Sequence, residues 1–220
     1  MANPPASSRD KILDVAEALF ARRGFAGVGM REVADTVQLG KSSLFHHFQG
    51  KAQLYFEVLG RVLQRIEERV APILEAPTPP IEKLDRGVDA LLDALAEHPT
   101  TARLLLRALF EEDAFPGGPL PEEEAARRVL DGLLARMAAV LQEGIESGVF
   151  RDVSVAHALQ TMIGACVFHF ASGELGEELI GGPLLSAGAV RAQKDTVRQL
   201  LHHGLAVPTA ETGEEAPCRN

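Results

Sequence analysis

Cysteine is scarce in this chain. Its two, Cys166 and Cys218, stand in an apolar segment and in a distant polar stretch, which excludes a disulfide framework or a metal knuckle and leaves Cys166 as a small core residue. No apolar run is long enough to cross a bilayer; the longest, residues 162–170, is interrupted by Gly164 and His169. The opening "MANPPASSRDK" carries no apolar stretch ahead of its first charges, unlike a secretory signal, so a soluble, cytoplasmic protein with no membrane partner is expected. Catalytic arrangements are missing as well. No Ser/His/Asp or Cys/His set, glycine-rich phosphate loop or carboxylate pair at useful spacing stands out, so neither catalytic residues nor a cofactor are expected.

Net positive charge is also missing, but unevenly. The total of −9 argues against a nucleic-acid partner, since an acidic protein repels phosphate. Residues 1–51, however, hold seven Lys/Arg against five Asp/Glu, a net of +2, while the remaining fifteen against twenty-six give −11. A mildly basic end on an acidic body can orient an approach to DNA.

No run alternates with period two, and almost every segment repeats its apolar residues at helical spacing, so the chain reads as all-α. The first helix shows Ile12, Leu13, Ala16, Leu19 and Phe20 on one side, with Ser7 and Asp10 as a cap pair and Arg22, Arg23 and Gly24 at its end. Short helices are predicted over 30–37 and 41–48, joined by "QLG". A long one follows over 51–75, with Tyr55, Leu59, Val62, Leu63, Ile66, Val70 and Ile73 tracing a stripe until "PTPP" stops it. Further helices over 81–97, 100–113, 122–147, 153–171 and 187–206 bring the total to about nine. Glycines thin out the order between Gly173 and Gly182. The organisation is a head at 1–52, a helical body at 53–206 and a tail at 207–220 with almost nothing to bury, expected to be disordered.

The segment "GKSSLFHHFQGK", residues 40–51, alternates polar and aromatic residues too quickly for a core and too richly for a loop. A metal, a substrate proton and a phosphate backbone are the candidate surfaces it meets. Chelation by His46 and His47 fails on geometry, because adjacent helical residues diverge by about 100°. Two short helices with a third packed across them form the arrangement that presents the second to the major groove of DNA. Leu44, Phe45 and Phe48 are expected to pack on Val33, Leu13 and Phe20, leaving Lys41, Ser42, Ser43, His46 and His47 outward as donors to phosphates and base edges. Lys51, beside the free N–H groups opening the next helix, makes a phosphate clamp.

The run "ILDVAEALFARRGFAGVGMREVADTVQLGKSSLFHHFQGKAQLYFEVL", with its ordered A-x-x-L-F-x-x-x-G-F, M-R-E-V-A, K-S-S-L-F-H-H-F and G-K, resembles the DNA-binding domain of the TetR family of bacterial transcriptional regulators. Beyond residue 60 only the helical layout and "SGVFRDVS" are similar. The resemblance implies an N-terminal helix-turn-helix domain and a C-terminal ligand-binding and dimerisation domain. It also implies a homodimer that binds a palindromic operator in double-stranded DNA, usually as a repressor, and leaves it when a small-molecule effector binds. Carried over by position, the DNA contacts are Arg31, Lys41, Ser42, Ser43, Phe45, His46, His47 and Lys51. The chain departs from the pattern where Val28 and Gly29 replace a Thr or Ser, Gln38 replaces the turn glycine, Gly40 replaces a capping hydroxyl and Phe45 replaces a tyrosine. If position 38 requires φ > 0, Gln38 strains the turn.

The resemblance further implies a pocket among the central helices, for which Phe110, Phe115, Met137, Met162, Phe168 and His169 are the adaptable or aromatic candidates; plain core is the competing reading of each. Gly164 and Ala165, beside Ile163 and Val167, let another helix approach closely and, with the stripe of the last helix, suggest a four-helix dimer interface. The rival function is an all-α enzyme or metal protein using His157, His169 and nearby carboxylates, although these two histidines, twelve residues apart on one helix, lie too far apart to share a metal.

Overall fold

Ser7 and Asp10 cap one another, the Asp10 N–H donating to Ser7 Oγ and the Ser7 N–H to the Asp10 carboxylate, both at 3.2 Å, and this capping box opens helix α1, Ser8–Arg23. The computed structural model describes residues 7–109 and 120–207, which form ten helices and no strand. After α1 come α2 (Met30–Val37), α3 (Lys41–His47), α4 (Lys51–Leu74), α5 (Pro80–Glu97), α6 (Pro99–Ala108), α7 (Pro121–Glu146), α8 (Val155–Ala171), α9 (Glu174–Ile180) and α10 (Ala187–Leu205). Helices α5, α6 and α7 each begin on a proline, whose missing N–H costs nothing in a first turn.

Helix α9 corrects the expectation of thinned order between Gly173 and Gly182. Gly173, at φ 59°, turns the chain out of α8. Gly176 is buried so closely that a Cβ there would stand 2.0 Å from Ser172 Oγ. Here the glycines permit tight packing. Helix α6 ends at Ala108, short of the expected 113; residues 110–113 and the tail from 208 lie outside the described residues.

Buried apolar side chains form three clusters among the described residues, two of which draw on α4. In the head, the fully buried Ile12, Phe20, Val33, Leu44 and Phe48 pack with Leu54, Tyr55 and Val58 of α4 and Leu104 of α6. The Tyr55 ring stands edge-on to Phe20 at 5.0 Å. Each such side chain contributes roughly 1.5–3 kcal/mol through removal of apolar surface from water. Head and body therefore share α4 as a structural wall. In the body, Ile66, Val70 and Leu74 of α4 cluster with Ala94, Leu133 and Val140, while Leu92, Leu95, Ala102, Leu141, Phe150, Met162 and Cys166 form a third core.

Helix α10 is held on both sides. Asp85, Asp89 and Asp93, four residues apart on α5, pair with His202, Arg198 and Lys194 of α10 at 2.7, 3.3 and 2.6 Å. At its end, Arg151 N–H donates to Leu205 O at 2.7 Å and Val207 N–H to Val149 O at 3.0 Å, clipping α10 to the α7–α8 turn. Phe150 in that turn packs against Gly144, where a Cβ would come within 1.9 Å of the ring.

Candidate DNA-binding surface and interior cavity

The turn between α2 and α3 is a Schellman motif. Leu39 N–H donates to Ala34 O at 2.9 Å and Gln38 N–H to Asp35 O at 3.2 Å. Gln38 carries it at φ 61°, ψ 37°, and among the described residues is the only non-glycine with positive φ. A left-handed L-residue costs about 1 kcal/mol or more, so the strain anticipated from the sequence is present.

Helix α3 is seated by Leu44 and Phe48, both 0% exposed. Ser42, Ser43, Phe45 and His46 are exposed and His47 is half-buried. Phe45, expected to pack inward with Leu44 and Phe48, is instead 39% exposed. Its neighbour Leu44 takes the inward direction, and a residue one step on is rotated by about 100°. Seven residues of helix span about 10 Å, a length that fits a major groove about 12 Å wide.

Positive charge on this side is largely committed within the chain. Arg9 pairs with Glu57 and Arg23 with Glu32. Arg31, 88% exposed, has Asp35 at 3.9 Å. Lys51 donates to Phe25 O at 2.9 Å, and its ammonium lies 4.2 Å from the Phe25 ring centroid. That lysine fastens the start of α4 to the loop after α1.

Behind the head, α1 is joined to the body through a buried carboxylate that the sequence reading passed over. Glu17, 5% exposed, accepts from Arg61 Nη2 at 3.0 Å, Arg65 Nη2 at 2.8 Å and Thr100 Oγ1 at 2.8 Å. Burial alone would raise its carboxyl, but hydrogen bonds from Arg65, Thr100 and Arg61 outweigh it and hold the group below its ordinary value. Seven residues along α6, Arg107 donates to Ala21 O at 3.1 Å and Arg22 O at 3.0 Å, placing a cation on the C-terminal carbonyls of α1. Helix α6 is thus fixed to α1 at two points. The available signal was an acid among Leu13, Ala16 and Phe20 on the buried stripe of α1.

The body contains a cavity of about 20 Å³ between α4, α5, α7 and α8, lined by apolar side chains including Val70, Leu74, Leu84, Met137, Met162 and Cys166. Burial pushes the Cys166 thiol up to about 12. Of the pocket residues proposed from sequence, Met137 and Met162 line this space. Phe168 is 53% exposed on the surface. His169 is buried but turned to Leu184 O, 3.2 Å from its Nε2, and lies edge-on to Phe170, away from the cavity. Phe110 and Phe115 lie outside the described residues. The aliphatic liners carry no sequence signal separating them from ordinary core.

A second space of about 300 Å³ opens between α8 and α10, bordered by His157, Thr161, Leu200 and Gly204. Phe168 and Leu200, the latter 65% exposed, stand on the same two helices, and Gly164 of α8 is exposed as well. His157 is exposed in this groove while His169 is buried against Leu184 O, so the two histidines of the rival reading form no common site. No group of three or more metal-ligating side chains occurs among the described residues, and no single helix there is long and apolar enough to cross a membrane.

Comparison with known proteins gives the same frame. Residues 12–58 match the family of bacterial regulatory proteins of the tetR type, and residues 80–201 match the tetracyclin repressor-like C-terminal domain. The chain is 30% identical over 199 residues to the HTH-type transcriptional repressor KstR2 of Mycolicibacterium smegmatis, covering 87% of this chain and 95% of that protein. The structure of the ketosteroid transcriptional regulator KstR2 of Mycobacterium tuberculosis superposes with a TM-score of 0.74 at 22% identity, over 94% of this chain and 99% of that one. AibR, solved with isovaleryl coenzyme A and operator DNA, superposes with a TM-score of 0.65 at 19% identity, over 84% and 97% of the two chains. The two family matches and the near full-length relative together place this chain in the TetR family of bacterial transcriptional regulators.

Proposed function

We propose that this chain is a dimeric repressor that holds a palindromic operator through α3 and releases it when a small molecule with a substantial apolar part enters the body. The observation that carries this reading is the link from α3, seated by Leu44 and Phe48, through the bonds of Glu17 to Arg61 and Arg65 of α4, the helix whose Val70 and Leu74 line the apolar cavity. Lys41, Ser42, Ser43, His46 and His47 are the contacts of α3, with Phe45 offering an apolar edge to a thymine methyl. Arg31 of α2 reaches phosphate, and Lys51 keeps α4 against the head while its remaining donors face the backbone.

A cavity of about 20 Å³ has room for little more than one water molecule. The state described is therefore closed, and an effector must open it. Met137 and Met162 have the flexibility for that. The apolar lining favours hydrocarbon, in keeping with a relative named for ketosteroids and a structural neighbour that binds isovaleryl coenzyme A. Effector binding shifts the dimer only through greater affinity for the state in which the two heads leave the half-site spacing of about 34 Å. Dimerisation uses α8 and α10, whose outer faces carry Phe168, Gly164 and Leu200. A regulator of this kind acts on chromosomal DNA in the cytoplasm.

Salt dependence tests the reading. Affinity for an operator recovered from the native host should fall steeply with salt, and Lys41→Ala should flatten the logarithmic slope by about one unit. Equal, loose binding of operator and random duplex would overturn it.

A further inference from the structure

Buried polar side chains are few among the described residues: Glu17, Lys83, Thr101 and His169. Glu17 and Thr101 both accept from Arg65 and belong to the junction of α1 with α4 and α6, and His169 is turned to Leu184 O. Lys83, 9% exposed, is the one lysine or arginine so deeply placed. A lysine ordinarily runs its stem along apolar surface and leaves its ammonium in water. Here the ammonium is held inside, 2.8 Å from Glu143 Oε2 of α7.

This pair stands at one end of the apolar cavity. On α5, Lys83 precedes the lining residue Leu84 by one position and Gly87 by one turn; on α7, Glu143 follows the lining residue Val140 by one turn. None of the lining side chains is charged, so the pair holds the first formal charges met beyond them on α5 and α7. Its two members are unequally placed. The Glu143 side chain is 49% exposed and that of Lys83 only 11%, so the carboxylate can turn out to water where the ammonium cannot follow.

A closed cavity admits an effector only when its walls part, and α5 and α7 are two of those walls. Parting them draws Lys83 from Glu143 and leaves a buried cation without a counter-charge, which is strongly unfavourable. A neutral occupant bears that cost, whereas one that brings its own anion cancels it. Resting on the effector reading above, we infer that the body takes an apolar monocarboxylate, with its hydrocarbon in the opened cavity and its carboxylate on Lys83 in place of Glu143. Lys83 selects the anion, through a charge-assisted bond, and Glu143 is the competitor that holds the site shut. From Lys83 to Leu91, the far lining residue of α5, is about 12 Å along the helix, a span that suits a chain of medium length.

Calorimetric titration of the full chain with decanoate and with decanol, both below their aggregation limits, tests this. Decanoate should bind about tenfold or more tightly than decanol. Lys83→Met keeps an apolar stem and leaves behind only a half-exposed carboxylate; it should abolish the preference, decanoate weakening while decanol does not. Lys83→Arg should retain it. Glu143→Gln removes the competitor and should tighten decanoate about threefold or more. Equal affinity for the two compounds in the wild-type chain, a preference that survives in Lys83→Met, or no tightening in Glu143→Gln overturns the inference. If decanol binds as well as decanoate and also releases the operator, the effector reading stands without it. Binding of neither compound overturns the inference as well, while salt-dependent operator binding would leave the DNA-binding reading intact.

Discussion

The junction of α1 with α6 and the space between α5 and α8 are both buried, and they are built from opposite materials. At the junction, one carboxylate takes three directed hydrogen bonds from two other helices, and an arginine grips two carbonyls. In the cavity every lining side chain is apolar and a small void remains. Directed bonds hold a single geometry and lose most of their strength when it changes. Aliphatic contacts are non-directional and tolerate rearrangement. The first arrangement suits transmission of a displacement, the second accommodation of a shape.

Glu17→Ala breaks the contrast most severely. It removes the shared acceptor of Arg61 and Arg65, whose Nε atoms are already buried without partners, and should cost about 3 kcal/mol in chemical denaturation. The same carboxylate gives stability a pH signature. Because its folded value is depressed, its contribution is complete above the ordinary carboxylate range and is lost as pH falls through the folded value; Glu17→Gln should flatten that acid limb in unfolding measured against pH.

Met162→Ala enlarges the cavity and should cost about 2 kcal/mol. Benzene, as an apolar filler, should raise the melting temperature of this variant and not that of Glu17→Ala, a difference that separates the two materials directly. The smallest expected effect is a gain. Gln38→Gly relieves the left-handed turn and should add up to about 1 kcal/mol, seen as a higher denaturation midpoint with unchanged slope.

The same contrast explains what could be read in advance. The head was legible almost residue by residue, since Ser7 and Gly24 mark the ends of α1 through local chemistry, and α2 falls at Met30–Val37 as expected. Local signals also misled: periodicity placed Phe45 in the core, where only Leu44 of the seven-residue α3 and Phe48 just past its end are buried. In the body, helix positions were legible but the cavity was not. Val70, Leu74 and Leu84 line it by virtue of where α4 and α5 cross, and aliphatic residues facing a void look the same in sequence as those facing a neighbour. Phe168 and His169 drew attention by residue type, yet Phe168 faces outward from α8 and His169 is turned to Leu184 O. The Glu17 junction depended on three helices distant in the chain, which no single segment records.

The two attachments of α6, at Thr100 and Arg107, lie about 10 Å apart along its axis. A single pivot would let that helix swivel against α1, whereas two remove the swivel and make the pair behave as one strut. Compliance must then reside farther from α3, on the side of the apolar cavity. Substitutions that leave the regulator deaf to its inducer without touching the cavity should consequently arise as pairs, one at each bolt.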